Sequence, residues 1–178
     1  FPTSMSGPAD RRNMGKGMII GAWVLLLALM TTLFQELLLQ QHNPNQKPVG
    51  DVGADGVREV VLQRNSKGHY VADGSINGQP VTFLVDTGAT DVAISEQLAN
   101  RLGLEKTGGA FSRTANGVVA VWQSTLADVS LGVIRMQHVR ASVLPDMRPA
   151  NQVLLGMSFL KHLELVQRDG SLTLRQLP

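Results

Sequence analysis

Asp86-Thr87-Gly88-Ala89-Thr90 follows directly on the apolar run Val81-Thr82-Phe83-Leu84-Val85, with an Asn77-Gly78 pair just upstream. β-Branched and aromatic residues after an Asn-Gly turn signal read as a strand, so the pattern sets a carboxylate at the tip of a buried strand. Gly88 lets the chain turn there with its backbone amides close to the carboxylate, and the Thr87 hydroxyl can bond a neighbouring loop. A carboxylate in that setting is equipped to take up and release protons during catalysis. An aspartate that merely caps a turn has the same local letters. The choice between the two readings rests on what accompanies the triplet elsewhere in the chain.

What accompanies it is a second motif of two apolar residues and a glycine, Leu154-Leu155-Gly156, continued by Met157-Ser158-Phe159-Leu160. Together with Phe83 to Thr90 and the following Val92-Ala93-Ile94-Ser95, it resembles the retropepsins, and specifically the bacterial, membrane-anchored retropepsin-like aspartic proteases. The resemblance runs from about Glu59 to Gln176. It implies an all-β fold, the retropepsin-like acid protease barrel lobe, with Asp86 catalytic and Thr87, Gly88 and Ala89 in the loop around it. It also implies that Leu154, Leu155 and Gly156 cross behind that loop and support it. The stretch from Phe111 to Trp122 reads as a hairpin with Asn116-Gly117 at its tip. It falls where the family carries its flap, the lid that closes over substrate; a plain structural hairpin is the alternative. Trp122 reads equally well as cleft lining or as core.

The resemblance has one departure. Retroviral enzymes usually carry an aspartate at the position of Thr90 and an arginine at the position of Met157, and the two pair with each other. Here both are missing together, so no unpaired charge is left behind. Asp91, the other carboxylate nearby, is expected as a solvated loop residue, with substrate binding as the lesser alternative.

The chemistry decides the assembly. Hydrolysis of a peptide bond by aspartates uses two carboxylates about 3 Å apart that share one proton. The chain has one Asp-Thr-Gly, no repeat of the whole motif, and in Asp169-Gly170-Ser171 only the wrong order. The second carboxylate is therefore expected from a second copy, in a two-fold homodimer with one Asp86 from each chain. The substrate is expected to be a polypeptide lying extended in the cleft. No cofactor is implied. His42, His69, His138 and His162 lie far apart without ligand spacing, so no metal site is expected, and neither Ser95 nor Ser158 has the partner pattern of a serine hydrolase.

The chain has 178 residues, 43% hydrophobic and 17% charged, a formal net charge of +2 and no cysteine. Its basic residues are scattered, with no block longer than Arg11-Arg12, which argues against a nucleic-acid partner; disulfides are excluded. Gly17 to Phe34 contains no charged residue. As a helix this run is about 27 Å long, close to the thickness of a bilayer's hydrocarbon core, and the expected transmembrane helix is 17–39. A cleaved signal peptide would end in a small-residue site, whereas this run ends Thr31-Thr32-Leu33-Phe34-Gln35-Glu36. Arg11, Arg12 and Lys16 precede the span, so the positive-inside rule keeps the N-terminus in the cytoplasm. Met5 is a candidate start residue.

The expected plan is a single-pass protein of the bacterial inner membrane. Residues 1–16 form a cytoplasmic N-terminus and 40–58, rich in Pro, Gly, Asn and Asp, a linker. Residues 59–178 form a periplasmic protease domain. Its strands are expected at Glu59–Gln63, His69–Ile76, Gln79–Val85, Ala110–Thr114, Val118–Leu131, Arg135–Val143, Leu163–Gln167 and, after an Asp169-Gly170 turn, Leu172–Gln176. Short helices are expected at Glu96–Leu102, capped by Ser95, and at Ser158–His162. The rival function is a non-catalytic, membrane-anchored peptide-binding or scaffolding module that kept the fold, since a fold does not guarantee activity.

Overall fold

The computed structural model describes residues 9–114 and 117–178. It divides into two compact units, Phe1–Leu39 and Gln40–Pro178. The first holds most of helix α1 (Ala9–His42). Trp23, Leu25, Leu29, Phe34 and Leu38 are all exposed on it, so its apolar surface runs around the whole helix instead of forming one stripe. A helix with no polar face is of the kind found spanning a membrane or wholly buried in a large protein. Among the described residues, the stretch Lys16–His42 is the one helix long and apolar enough to cross a membrane.

Among the described residues, the second unit has eleven strands and two short helices: β1 (Val49–Val52), β2 (Arg58–Gln63), β3 (Val71–Ile76), β4 (Gln79–Val85), β5 (Val92–Ser95), α2 (Glu96–Arg101), β6 (Thr107–Thr114), β7 (Gly117–Leu131), β8 (Ile134–Leu144), β9 (Gln152–Leu155), α3 (Met157–Leu160), β10 (Glu164–Arg168) and β11 (Ser171–Gln176). Seven strands form one sheet in the order β3-β4-β9-β5-β8-β7-β6, and an extra pairing of β3 with β7 curls it back on itself. The other four form a sheet in the order β1-β2-β11-β10. The all-β expectation for this unit is met.

Local chemistry sets the hairpins. Asn77 and Gly78 both have positive φ, as do Asp169 and Gly170; these are the two-residue turns whose twist matches that of paired strands. They join β3 to β4 and β10 to β11, with Ile76 opposite Gln79 and Arg168 opposite Ser171. Alternation then chooses the faces. Val81 and Phe83 on β4, Val60 and Leu62 on β2, and Leu172 and Leu174 on β11 are buried, and they meet Ile94, Leu126, Ile134, Val143, Leu155 and Phe159 in one core. Where β3 crosses β7, side chains would not fit: a Cβ on Gly74 would overlap the Ser130 carbonyl and the Phe83 ring.

Three strands were not expected: β1, β5 and β9. Each is four residues long, too short to show a period of its own. β9 is also defined by its neighbours, running parallel to β4 on one side and pairing antiparallel with β5 on the other. The segment 40–58 corrects the expectation of a linker. Asn43 and Asn45 in it are buried, Asn45 bridges to Ala72, and β1 pairs residue for residue with β2. Its polar letters read as loop because asparagine side chains, and not an apolar pattern, tie it down.

Candidate active site

β4 delivers Asp86 to the edge of the barrel, where the side chain is half-buried and Thr87 and Gly88 are exposed. The Gly88 N–H donates to Asp86 Oδ1 at 2.9 Å, and a Cβ on Gly88 would stand 3.2 Å from the same oxygen. A short turn follows, in which Ala89 N–H donates to the Asp86 carbonyl at 3.2 Å. The loop thus offers a carboxylate with one oxygen held by a backbone amide.

The turn is braced from behind by β9 and the start of α3. Asp86 N–H donates to the Leu155 carbonyl at 3.2 Å, Met157 N–H to the Ala89 carbonyl at 2.8 Å and Ser158 N–H to the Thr90 carbonyl at 2.9 Å. Leu154 lies opposite both Leu84 and Ala93, so the strand carrying Leu154 and Leu155 sits between β4 and β5. Gly156 follows at the crossing: a Cβ there would overlap the Asp91 carbonyl and come within 2.8 Å of the Ala89 oxygen. Any side chain at 156 would push the Asp86 turn out of place.

Ser158 and Ser95 both have structural partners. Ser158 Oγ donates to the Arg140 carbonyl at 2.7 Å and accepts from Val92 N–H at 2.9 Å, fastening β5 and β8 to α3. Ser95 caps α2 by accepting from Leu98 N–H and donates to the Ala150 carbonyl.

Asp91 departs from the expected solvated loop residue. Its side chain is 12% exposed and accepts from Arg140 Nε at 2.7 Å, with Ser142 Oγ donating to its other oxygen at 3.1 Å. Its partner lies 49 residues away, on a strand whose proximity no local pattern announces. Met157, where the retroviral arginine would stand, packs half-buried against the core. The corner that lacks the retroviral ion pair therefore carries a different one, from β8.

The hairpin β6–β7 pairs from Thr107 opposite Gln123 to Thr114 opposite Gly117. Gly117 is exposed with φ of 112°; Asn116 lies outside the described residues. Phe111 and Val118 on the arms stand in solvent. Trp122 is 37% exposed and so no part of the core. Lys106 Nζ lies 5.3 Å from its ring centre and donates to Glu96 at 2.6 Å, tying the root of the hairpin to α2.

A carboxylate at a strand end, on a turn braced by a crossing strand and a glycine, in a β lobe with a long hairpin, is the arrangement of the retropepsin-like aspartic protease fold. The comparisons narrow it. The family described as gag-polyprotein putative aspartyl protease matches residues 72–162, and the chain belongs to that family. A crystallised retropepsin-like aspartic protease from Rickettsia conorii superposes with a TM-score of 0.54 and 26% identity, over 73% of this chain and 95% of that one. Among sequences, an uncharacterised protein of a Sinorhizobium species is 36% identical across 68% of this chain and 54% of its own length. One from Rickettsia prowazekii (strain Madrid E) is 29% identical across 65% of this chain and 50% of its own. The chain thus spans about half the length of the curated relatives it matches.

Proposed function

We propose that the protein is an aspartic endopeptidase whose site is completed by a second copy of the chain. The observation that carries this is the single braced carboxylate, Asp86, beside exposed Thr87 and Gly88. One lobe supplies one half of an acid–base pair. In the dimer one Asp86 carboxylate takes a proton from water as its oxygen attacks the scissile carbonyl carbon. The protonated Asp86 of the other copy gives its proton to the carbonyl oxygen. Collapse of the tetrahedral intermediate breaks the C–N bond, and the amine leaves with a proton returned from the pair. Thr87 holds the two loops across the axis, the Gly88 amide supports the pair, Leu154, Leu155 and Gly156 keep the loop in place, and the hairpin around Asn116 and Gly117 covers an extended polypeptide. An edge fit for association is at hand: β10 is exposed at every residue, with Leu165 and Val166 in solvent.

The all-round apolar helix supports a single-pass anchor over residues 17–39, with residues 1–16 cytoplasmic and the protease domain, from residue 40 onward, in the periplasm of a bacterial inner membrane. Sinorhizobium and Rickettsia relatives are in keeping with a bacterial setting. The test is cleavage of a peptide library by the full chain in detergent, beside Asp86→Asn. Asp86→Asn is nearly isosteric and should fold, dimerise and insert normally while losing cleavage by at least about a thousandfold, as expected when a proton-transfer partner is lost. Adding excess Asp86→Asn chain to the wild type should also depress activity through mixed dimers. Wild-type rates from Asp86→Asn would refute Asp86 as the catalytic group, and no cleavage of any library peptide by the wild-type chain would leave the scaffolding reading.

A further inference from the structure

The segment 41–45 is neither linker nor ornament. Asn45 Nδ2 donates to the Gln63 carbonyl at 2.9 Å and to the Val71 carbonyl at 2.7 Å, while Gln63 N–H donates to Asn45 Oδ1 at 2.7 Å. Asp73 N–H donates to the Asn45 carbonyl at 3.0 Å, and Asn45 N–H donates to Asn43 Oδ1 at 3.0 Å. One asparagine thus ties the end of β2 to the start of β3. Asn43 Nδ2 donates to Asp73 Oδ1 at 2.8 Å, and the same oxygen accepts from Thr82 Oγ1 at 2.8 Å. That network ends on β4, the strand that carries Asp86. Nearer the helix, the Gln41 carbonyl accepts from Ser66 N–H and Oγ, and the His42 carbonyl from Asn65 Nδ2 at 3.0 Å.

These bonds begin almost where the apolar span ends. Leu39 is its last apolar residue and Gln41 the first that the domain holds; two residues of chain extend at most about 7 Å. A flexible leash of twenty residues would instead roam over about 25 Å on average and reach three times as far. A domain of this length is roughly 40 Å across. On the proposed reading of residues 17–39 as a membrane anchor, so short a connection keeps the domain within about its own breadth of the bilayer.

We propose that the clamp centred on Asn43 and Asn45 selects substrates by height, so that the enzyme takes peptide bonds in the membrane-proximal segments of other membrane-attached chains. This rests on the reading of the protein as an anchored endopeptidase. Sequence preference in the cleft acts within that set, and a site on a rigid part standing well beyond that distance from the bilayer is out of reach whatever its sequence.

The test uses the full chain in vesicles of phosphatidylethanolamine and phosphatidylglycerol. With it are reconstituted single-span reporters carrying the fastest-cleaved library peptide on rigid helical spacers of about 10 Å or about 80 Å. A second version of the enzyme carries twenty Gly/Ser residues inserted between Leu39 and Gln40, and the free peptide in solution serves as a third substrate. Both versions should cleave the free peptide at similar rates. The uninterrupted chain should cleave the near reporter at least tenfold faster than the far one, and the insertion, whose extended conformations reach the far site, should lower that ratio at least threefold. Equal cleavage of both reporters by the uninterrupted chain, or a ratio the insertion does not change, overturns height selection while leaving the protease reading intact. No cleavage of the free peptide by either version defeats the protease reading itself, and the inference with it.

Discussion

Asn45→Ala offers a measurement of the clamp that does not depend on activity. In the domain Gln40–Pro178, the substitution deletes three side-chain hydrogen bonds, of 2.9, 2.7 and 2.7 Å, one of them to a buried carbonyl. A hydrogen bond contributes about 1 kcal/mol net, and a buried polar group left unpaired costs about 1–3 kcal/mol. The expected loss is about 3–4 kcal/mol from a domain stability on the order of 5–15 kcal/mol, seen as a fall in Tm of about 10 °C. Asn45→Asp sharpens the test. It keeps the acceptor for Gln63 N–H but turns a second carboxylate oxygen toward the carbonyls of Gln63 and Val71, so it should cost more than alanine at neutral pH. A domain shortened to residues 51–178 loses Asn43 and Asn45 together and should be no more stable than Asn45→Ala. Equilibrium urea unfolding checks all three. A loss below about 1 kcal/mol for Asn45→Ala, or an Asn45→Asp domain as stable as the parent, would refute the view that this segment is structural.

Other outcomes follow from the same geometry. Gly156→Ala drives a methyl group into the Asp91 and Ala89 carbonyls, so unfolding experiments should show at least about 3 kcal/mol of destabilisation, and any folded protein should have lost peptidase activity with the displaced turn. Ser158→Ala removes the hydroxyl that accepts from buried Val92 N–H and donates to Arg140; denaturation should register a cost of about 2–3 kcal/mol. If instead the serine were catalytic, its loss would abolish cleavage with stability unchanged. Because the paired Asp86 carboxylates must hold one proton between them, a pH–rate profile should fall on the alkaline side as that proton leaves; a rate still climbing at alkaline pH would contradict the mechanism.

Residues close together in the chain could be read in order. Asn77-Gly78 and Asp169-Gly170 announce their hairpins because positive φ is settled within two residues, and β4 matches its expected bounds because alternating burial and the turn before it are local. Asp86-Thr87-Gly88 and Leu154-Leu155-Gly156 stand out as letters for the same reason. What the letters cannot convey is which distant segment fills a vacant side of a strand. β5 and β9 are four residues each and exist as strands because β4 and β8 flank them. Asp91 reads as a loop carboxylate until β8 brings Arg140 to it, and Asn43 and Asn45 read as linker until β2 and β3 present carbonyls and an amide without sheet partners. A polar side chain specifies only that it needs a partner, and the fold alone decides whether that partner is water or backbone.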